Sequence, residues 1–447
     1  MKREKDFELE LKQIAIPVTL QCLLQSSFSV VDQVMTGQLG SVSIAGIGLG
    51  GKFAWIYSVL VSAVAAAAGI MIAQYTGKKD ERKAGKSFYL NLVLAIVLAV
   101  IFMILGIGFP KMIMGWYTKD ASVIEMASGY LRIVSFTFLP MAVSTLLSTY
   151  LRCNGKAAIP LYVSILSAIL NTGFNWLLIF GNLGFPALGA DGAALATAIS
   201  QVGGCILMII LFLSLKRKNN WDLPFSLRQG RAEWLQFVGI FVPILVCEFL
   251  WSLGENVYAA IYGHIGTAEC AAMTVTSPIQ GLFMGALSGG SQAAGIMIGK
   301  RLGAGEEKEA YCDSKRLMQR GFWLSLILSL LLVLLGRFYV QIFQVEDSVR
   351  LIAYKLLVVF AVVAPVKVQN MILGGGIIRS GGRTKYAMLI DIIGTWGFGV
   401  PLGFLSAYVL HLPITGVYFI LSMEECVRLV LSAVVFRRRK WMQSPLK

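Results

Sequence analysis

Charge is what this sequence has least of. Only 14% of its 447 residues are Asp, Glu, Lys or Arg, where soluble domains carry roughly 25%. With 57% hydrophobic residues and a mean hydropathy of +0.72, the chain cannot cover a water-facing surface. Histidine is nearly missing: His264 and His411 are the only two. There is no CxxC or HExxH, so no structural metal is expected. The seven cysteines (Cys22, Cys153, Cys205, Cys247, Cys270, Cys312 and Cys426) show no paired spacing. They read as small apolar packing residues, not a disulfide frame. No GxxxxGK[ST] loop is present, and no soluble stretch is long enough to hold a nucleotide, which argues against ATP-driven pumping. An Asp-rich Mg²⁺ motif and a nucleophile–base arrangement are missing too. That disfavours an intramembrane prenyl or phosphoryl transferase, and no catalytic residue is expected. The charged start, Met1 to Lys12, leads into a stretch bearing Pro17, Gln21, Gln25 and Asp32 rather than a short apolar core with a cleavage site. No cleavable leader is therefore expected.

What the chain does have is a copy of itself. Gly37-Gln38-Leu39-Gly40-Ser41 returns as Gly263-His264-Ile265-Gly266-Thr267, and Gly69-Ile70-Met71-Ile72 returns verbatim as Gly295-Ile296-Met297-Ile298. Pro17 maps onto Pro243 by the same shift, so all three anchors share one offset, that from Gly37 to Gly263. Apolar runs of about 20 residues each cross a ~30 Å hydrocarbon core. Twelve are expected, near 12–36, 44–75, 88–109, 124–150, 158–181, 190–215, 233–262, 269–299, 320–342, 350–377, 386–409 and 413–436. The predicted fold is an all-α polytopic membrane protein of two six-helix lobes, 1–215 and 232–447, joined by a polar linker at 216–231. Six spans separate matched positions, so the halves are parallel repeats about an axis along the membrane normal, a plan used by secondary transporters.

The net charge of +15 does not point to nucleic acid, because the basic residues cluster in alternate loops. Thirty of the 39 Lys and Arg residues fall in seven clusters. These are Lys2 to Lys12; Lys78 to Lys86; Arg152 with Lys156; Lys216 to Arg231; Lys300 to Arg320; Arg379 to Lys385; and Arg437 to Lys447. The intervening loops Gly37 to Ser41, Gly181 to Asp191, Gly263 to Thr267 and His411 to Thr415 carry none. Positive charge marks the cytoplasmic side, so both termini are expected there, in a multi-pass plasma (inner) membrane protein. Lipid is its surroundings, and a monomer is expected.

Ionisable groups at bilayer depth cost roughly 2.5–3.5 kcal/mol on insertion scales, so each is a functional candidate. Asp32 ends a polar stripe with Gln25 and Ser29 at helical spacing. The alternative is an interfacial Asp near the outer headgroups. Asn171 and Asn175 sit one turn apart in the fifth span, and Thr197, Ser200 and Gln201 in the sixth. Neutral oxygens near one carboxylate suit Na⁺ or a hydrogen-bonded proton; the alternative is polar glue between helices. In the second half Glu248, Trp251, Glu255, Tyr258 and Tyr262 share one helix face. Carboxylates interleaved with rings are the chemistry for an organic cation. Asp391 lies in the eleventh span, and Glu424 and Glu425 in the twelfth, where an internal pair of Glu425 with Arg428 is the competing reading. Lys367 and Lys52 are candidates to neutralise these acids, or, for Lys52, to snorkel.

The run Val31-Asp32-Gln33-Val34-Met35-Thr36-Gly37-Gln38-Leu39-Gly40 resembles the first helix of MATE (multidrug and toxic compound extrusion) transporters. Leu170-Asn171-Thr172-Gly173-Phe174-Asn175 and Gly192-Ala193-Ala194-Leu195-Ala196-Thr197 resemble the fifth and sixth. Glu248-Phe249-Leu250-Trp251-Ser252-Leu253-Gly254, Ile378-Arg379-Ser380-Gly381-Gly382, Leu389-Ile390-Asp391 and Glu424-Glu425 are similar to a bacterial branch. The resemblance implies a V-shaped twelve-helix antiporter that expels small organic cations or other xenobiotics in exchange for Na⁺ or H⁺, with no further cofactor. It places Asp32, Asn171, Asn175 and Thr197 at the family's cation-coupling site, Asp32 being the ligand if the ion is Na⁺. The chemistry of the residues themselves, rather than the resemblance, offers Gln25, Glu248, Trp251, Glu255, Tyr258, Asp391, Glu424 and Glu425 as the substrate-binding set. Two departures stand out: the family commonly has Asp where this chain has Asn175, and its Gly-Gly-Asp reads Gly381-Gly382-Arg383. The alternative function is a lipid-linked oligosaccharide precursor flippase of the same superfamily. That would favour Arg and Lys in the cavity, whereas acids outnumber bases in the expected spans.

Overall fold

The computed structural model describes residues 2–221, 223–224, 231–341, 343 and 346–442. Arg228, Lys447, the linker positions 222 and 225–230, and the side chain of Cys270 lie outside the described residues. Among those described every regular element is helical. In chain order they are α1 (Lys2–Thr36), α2 (Ser41–Gly77), α3 (Glu81–Gly108), α4 (Pro110–Gly115), α5 (Ala121–Ser135), α6 (Phe138–Cys153), α7 (Ala158–Phe180) and α8 (Gly189–Lys218). The second half holds α9 (Arg231–Ile265), α10 (Thr267–Gly303), α11 (Glu307–Gln341), α12 (Asp347–Asn370), α13 (Thr384–Ile392), α14 (Val400–Phe404), α15 (Ile414–Ser422) and α16 (Glu424–Arg437). Stretches of π-helix follow α12 (Met371–Ile378), α13 (Ile393–Gly399) and α14 (Leu405–Val409).

Nine of these helical spans are long and apolar enough to cross a membrane, and ten if α5 and α6, bent by 44°, form one. With α10 and the α15–α16 pair the rods number twelve among the described residues. The fourth rod, expected as one span over 124–150, is instead the bent α5–α6 pair. Its break at Phe136–Thr137 leaves Pro140 in the first turn of α6, where the missing N–H costs no intrahelical hydrogen bond. The π-helical stretches also went unforeseen. Two of them are glycine-rich, at Gly374-Gly375-Gly376 and at Gly394, Gly397 and Gly399, where the backbone has least to hold it in a tighter helix.

Packing divides the chain into two compact units: residues 20–72 with 80–229, and residues 1–19, 73–79 and 230–447. In the first, Phe53, Tyr57 and Phe138 pack as tilted rings between α2 and α6, and the Tyr57 hydroxyl donates to the Phe138 carbonyl at 2.7 Å. α7 and α8 come close because Gly192 lies on the Leu178 backbone and Gly204 on Ser167. Small residues at such crossings are how helices pack in lipid, where apolar side chains gain nothing over the solvent.

The second unit contains a crossing that repeats its own logic. A Cβ on Gly77 would fall 2.8 Å from the Lys300 carbonyl carbon, and one on Gly303 2.7 Å from the Gln74 carbonyl carbon. Gly303 is the repeat equivalent of Gly77, and Lys300 is the repeat equivalent of Gln74. The ends of α2 and α10 therefore meet through reciprocal, repeat-related contacts, backbone against backbone. Gly303→Val forces those backbones apart and is expected to lower stability by about 1–3 kcal/mol, read as a fall in the unfolding temperature of the detergent-solubilised protein. Gly281→Ala in the same helix meets nothing within 4 Å and serves as the neutral control. At the charged end of this unit Glu10 of α1 lies 3.6 Å from Lys300, Arg320 pairs with Glu8, and the buried Asp313 pairs with Arg301 and Arg316.

Candidate functional site

Two polar clusters lie within the apolar rods, one in each unit. In the first unit, α1 and α7 run side by side and bring Asp32 against Asn175. The Asn175 amide nitrogen donates to Asp32 Oδ1 at 2.6 Å and reaches Asn171 Oδ1 at 3.3 Å. The Asn171 amide in turn donates to Thr197 Oγ1 at 3.4 Å, and that hydroxyl is anchored on the Ala193 carbonyl at 2.9 Å. Asn175 is fully buried, and its Oδ1 has no hydrogen-bond partner. One carboxylate, two side-chain amides and a hydroxyl thus form one hydrogen-bonded chain, with a buried amide oxygen, that of Asn175, left over. That donor set fits a small hard cation or a shared proton. Among the described residues no Lys or Arg nitrogen lies within 4 Å of Asp32, and Lys52 is exposed. Gln25, on the same helix as Asp32, is exposed.

The cluster in the second unit is built from charge. Arg379 Nη1 lies 2.8 Å from Glu248 on α9, and its Nη2 lies 3.6 Å from Asp391 on α13. Asp391 also pairs with Arg428 of α16. Arg428 Nη1 is 3.7 Å from Glu425, and Glu425 is 3.9 Å from Lys367 on α12. The Asn370 amide donates to Glu425 Oε2 at 2.8 Å. The result is an alternating line, Glu248–Arg379–Asp391–Arg428–Glu425–Lys367, across four helices. Glu424 stands outside it. It is buried, and Tyr258 donates to it. The π-helical turn after α13 makes room, because a Cβ on Gly394 would meet Arg428 and one on Gly399 would meet Glu424 and Tyr258. Trp251 and Glu255 are exposed on α9 and take no part in the ion-pair line.

Several groups escaped the sequence reading. Arg379 reads as a loop charge but is only 17% exposed inside the cluster. Cys247 is more than packing: its thiol donates to Asp391 at 2.6 Å and accepts from Arg379 at 2.8 Å. Arg152, grouped with the loop bases, reaches Gln21 of α1. The repeat held a signal for both arginines, since the repeat equivalent of Arg152 is Ile378, immediately before Arg379.

The MatE family profile matches residues 17–177 and 243–405. Its two segments begin at Pro17 and Pro243, the repeat-related prolines. An uncharacterized transporter of Bacillus subtilis, YisQ, is 24% identical over 99% of this chain and 97% of its own length. A probable multidrug resistance protein of the same organism, YoeA, is 26% identical over 90% of this chain and 88% of its own. The solved outward-facing structure of a multidrug resistance MATE family transporter superposes with a TM-score of 0.88 at 18% identity, covering 96% of this chain and 95% of that one. With the family profile matched in both halves of a chain built from long apolar helices, the chain belongs to the MATE family of multi-pass membrane transporters.

Proposed function

We propose that the protein is a secondary antiporter of the plasma membrane, with both termini cytoplasmic, that exports organic cations or other xenobiotics by alternating access in exchange for Na⁺ or H⁺. The observation that carries this reading is Asp32. A carboxylate inside a span is costly, and the side-chain group that holds this one is a neutral amide, 2.6 Å away. An exchangeable cation supplies the missing charge, and Asn171, Asn175 and Thr197 supply neutral oxygens around it. On the substrate side, Trp251 and Glu255 lie one turn apart and exposed on α9, offering a ring face and a carboxylate to an organic cation. The curated relatives named as multidrug resistance proteins are consistent with that cargo.

The test is dye efflux from proteoliposomes of the purified protein, with Na⁺ and proton gradients imposed separately. One gradient is expected to drive ethidium out against its concentration. Dye movement under neither gradient, together with movement of a lipid-linked pyrophosphate, would replace the antiporter with a flippase.

A further inference from the structure

Asp32 is not the only tie between α1 and α7. Three turns earlier on α1, the Gln21 amide nitrogen donates to Ser164 Oγ of α7 at 2.7 Å. The step from Gln21 to Asp32 along α1 equals the step from Ser164 to Asn175 along α7. Both cross-links therefore join residues 143 positions apart, two rungs of one parallel register. That step is close to three helical turns, about 16 Å of rise, so the rungs stand on the same face of each helix. Gln21 is buried, and its carbonyl oxygen is taken by Arg152 Nη2 at 2.6 Å from the last turn of α6. A buried amide and a half-buried arginine and hydroxyl thus fasten three helices together below the cation site.

The second half of the chain carries the same device at repeat-related positions. Cys247 is the repeat equivalent of Gln21, and Arg379 and Asp391 each stand one position past the equivalents of Arg152 and Ser164. There too the arginine reaches the residue on the first helix of the half, at 2.8 Å, and that residue donates to the partner on the fifth, at 2.6 Å. An arrangement present in both halves, with the side chains changed and the connectivity kept, is a built element of the fold and not a chance contact.

We infer that Arg152, acting through Gln21 and Ser164, is a positioning residue for cation coupling: it sets the α1–α7 register that brings Asp32 to Asn175. The inference rests on the reading of Asp32 as the coupling carboxylate. Sliding α1 by one residue along α7 rotates Asp32 by about 100° and carries it off the Asn175 face. The rung below resists that slide.

The experiment measures the Na⁺ or H⁺ concentration that half-saturates dye efflux, alongside the maximal rate and the substrate KM. Arg152→Gln and Gln21→Ala are each expected to raise the half-saturating cation concentration about fivefold, the weight of one net hydrogen bond. The maximal rate at saturating cation and the KM for dye stay within about twofold of the parent, a difference of roughly 0.4 kcal/mol. Arg152→Lys, which keeps a donor and the charge, recovers at least half of the shift. Ser164→Ala, a mild change that leaves the arginine in place, keeps the test alive if Arg152→Gln fails to fold, and is expected to move half-saturation in the same direction. Unchanged half-saturation with a lower maximal rate or melting temperature would overturn the inference and leave a purely structural tie. Asp32→Asn in the same assay separates the two levels. If Asp32→Asn leaves coupling intact, the coupling-site reading fails. If it removes coupling while the rung variants leave half-saturation alone, only the positioning role fails.

Discussion

Asp32→Asn is expected to remove ion-driven efflux while leaving the protein folded and in the membrane. The substitution is nearly isosteric, and Asn175 can still offer its amide across the 2.6 Å contact. What disappears is the one formal charge of the cluster. A contact to a charged group contributes about 1.5–3 kcal/mol, and each ~1.4 kcal/mol is tenfold, so gradient-driven transport should fall by about 10- to 100-fold. Counterflow of dye down its own gradient tests whether the path itself survives, and it should be far less affected. The reverse change sharpens the point. Asn175→Asp places a second carboxylate beside the first and restores the residue that the family commonly has there. The cation should then bind more tightly, because two like charges at that spacing favour whatever neutralises one of them. Parent-level driven transport by Asp32→Asn would remove the engine from this account.

The two halves of the molecule were unequally readable. The fold lay open in the sequence because the repeat is written in backbone-demanding residues, glycines and a proline, that survive duplication when side chains drift. The Asp32 set was equally plain, since Asn171 and Asn175 keep helical spacing and oxygen chemistry in an otherwise apolar run. The charged line of the second unit was half visible. Its acids stood out in the spans, but Arg379 lies next to Arg383 and Lys385 and so looks like part of a loop cluster. Only the tertiary fold turns it inward, on the far side of a π-helical stretch whose residues no 3.6-residue period describes. Cys247 was hidden for a different reason. A thiol is read as a hydrophobe unless its neighbours are known, and those neighbours, Asp391 and Arg379, are 144 and 132 residues away.

The charged line also makes a strong prediction about stability. Arg428 is its central link, pairing with Asp391 on one side and lying 3.7 Å from Glu425 on the other. It is 12% exposed, and Glu425 is 4% exposed. Removing one partner of a buried pair leaves an uncompensated charge and typically costs about 3–5 kcal/mol. Arg428→Leu should fall at the lower end, because Asp391 keeps Arg379 at 3.6 Å and Glu425 keeps Lys367 at 3.9 Å. The measurement is thermal unfolding in detergent at fixed pH and salt. Adding Glu425→Gln to Arg428→Leu removes the excess negative charge, leaving two acids and two bases in the line, and the Asn370 amide, 2.8 Å from that side chain, can still bond the new oxygen. The double variant should therefore be more stable than Arg428→Leu alone, with a coupling of about 1–3 kcal/mol between the two sites. If Arg428→Leu instead melts with the parent, the line is not holding the helices together. If it then still loses transport, the alternating charges serve the moving state of the protein and not its resting fold.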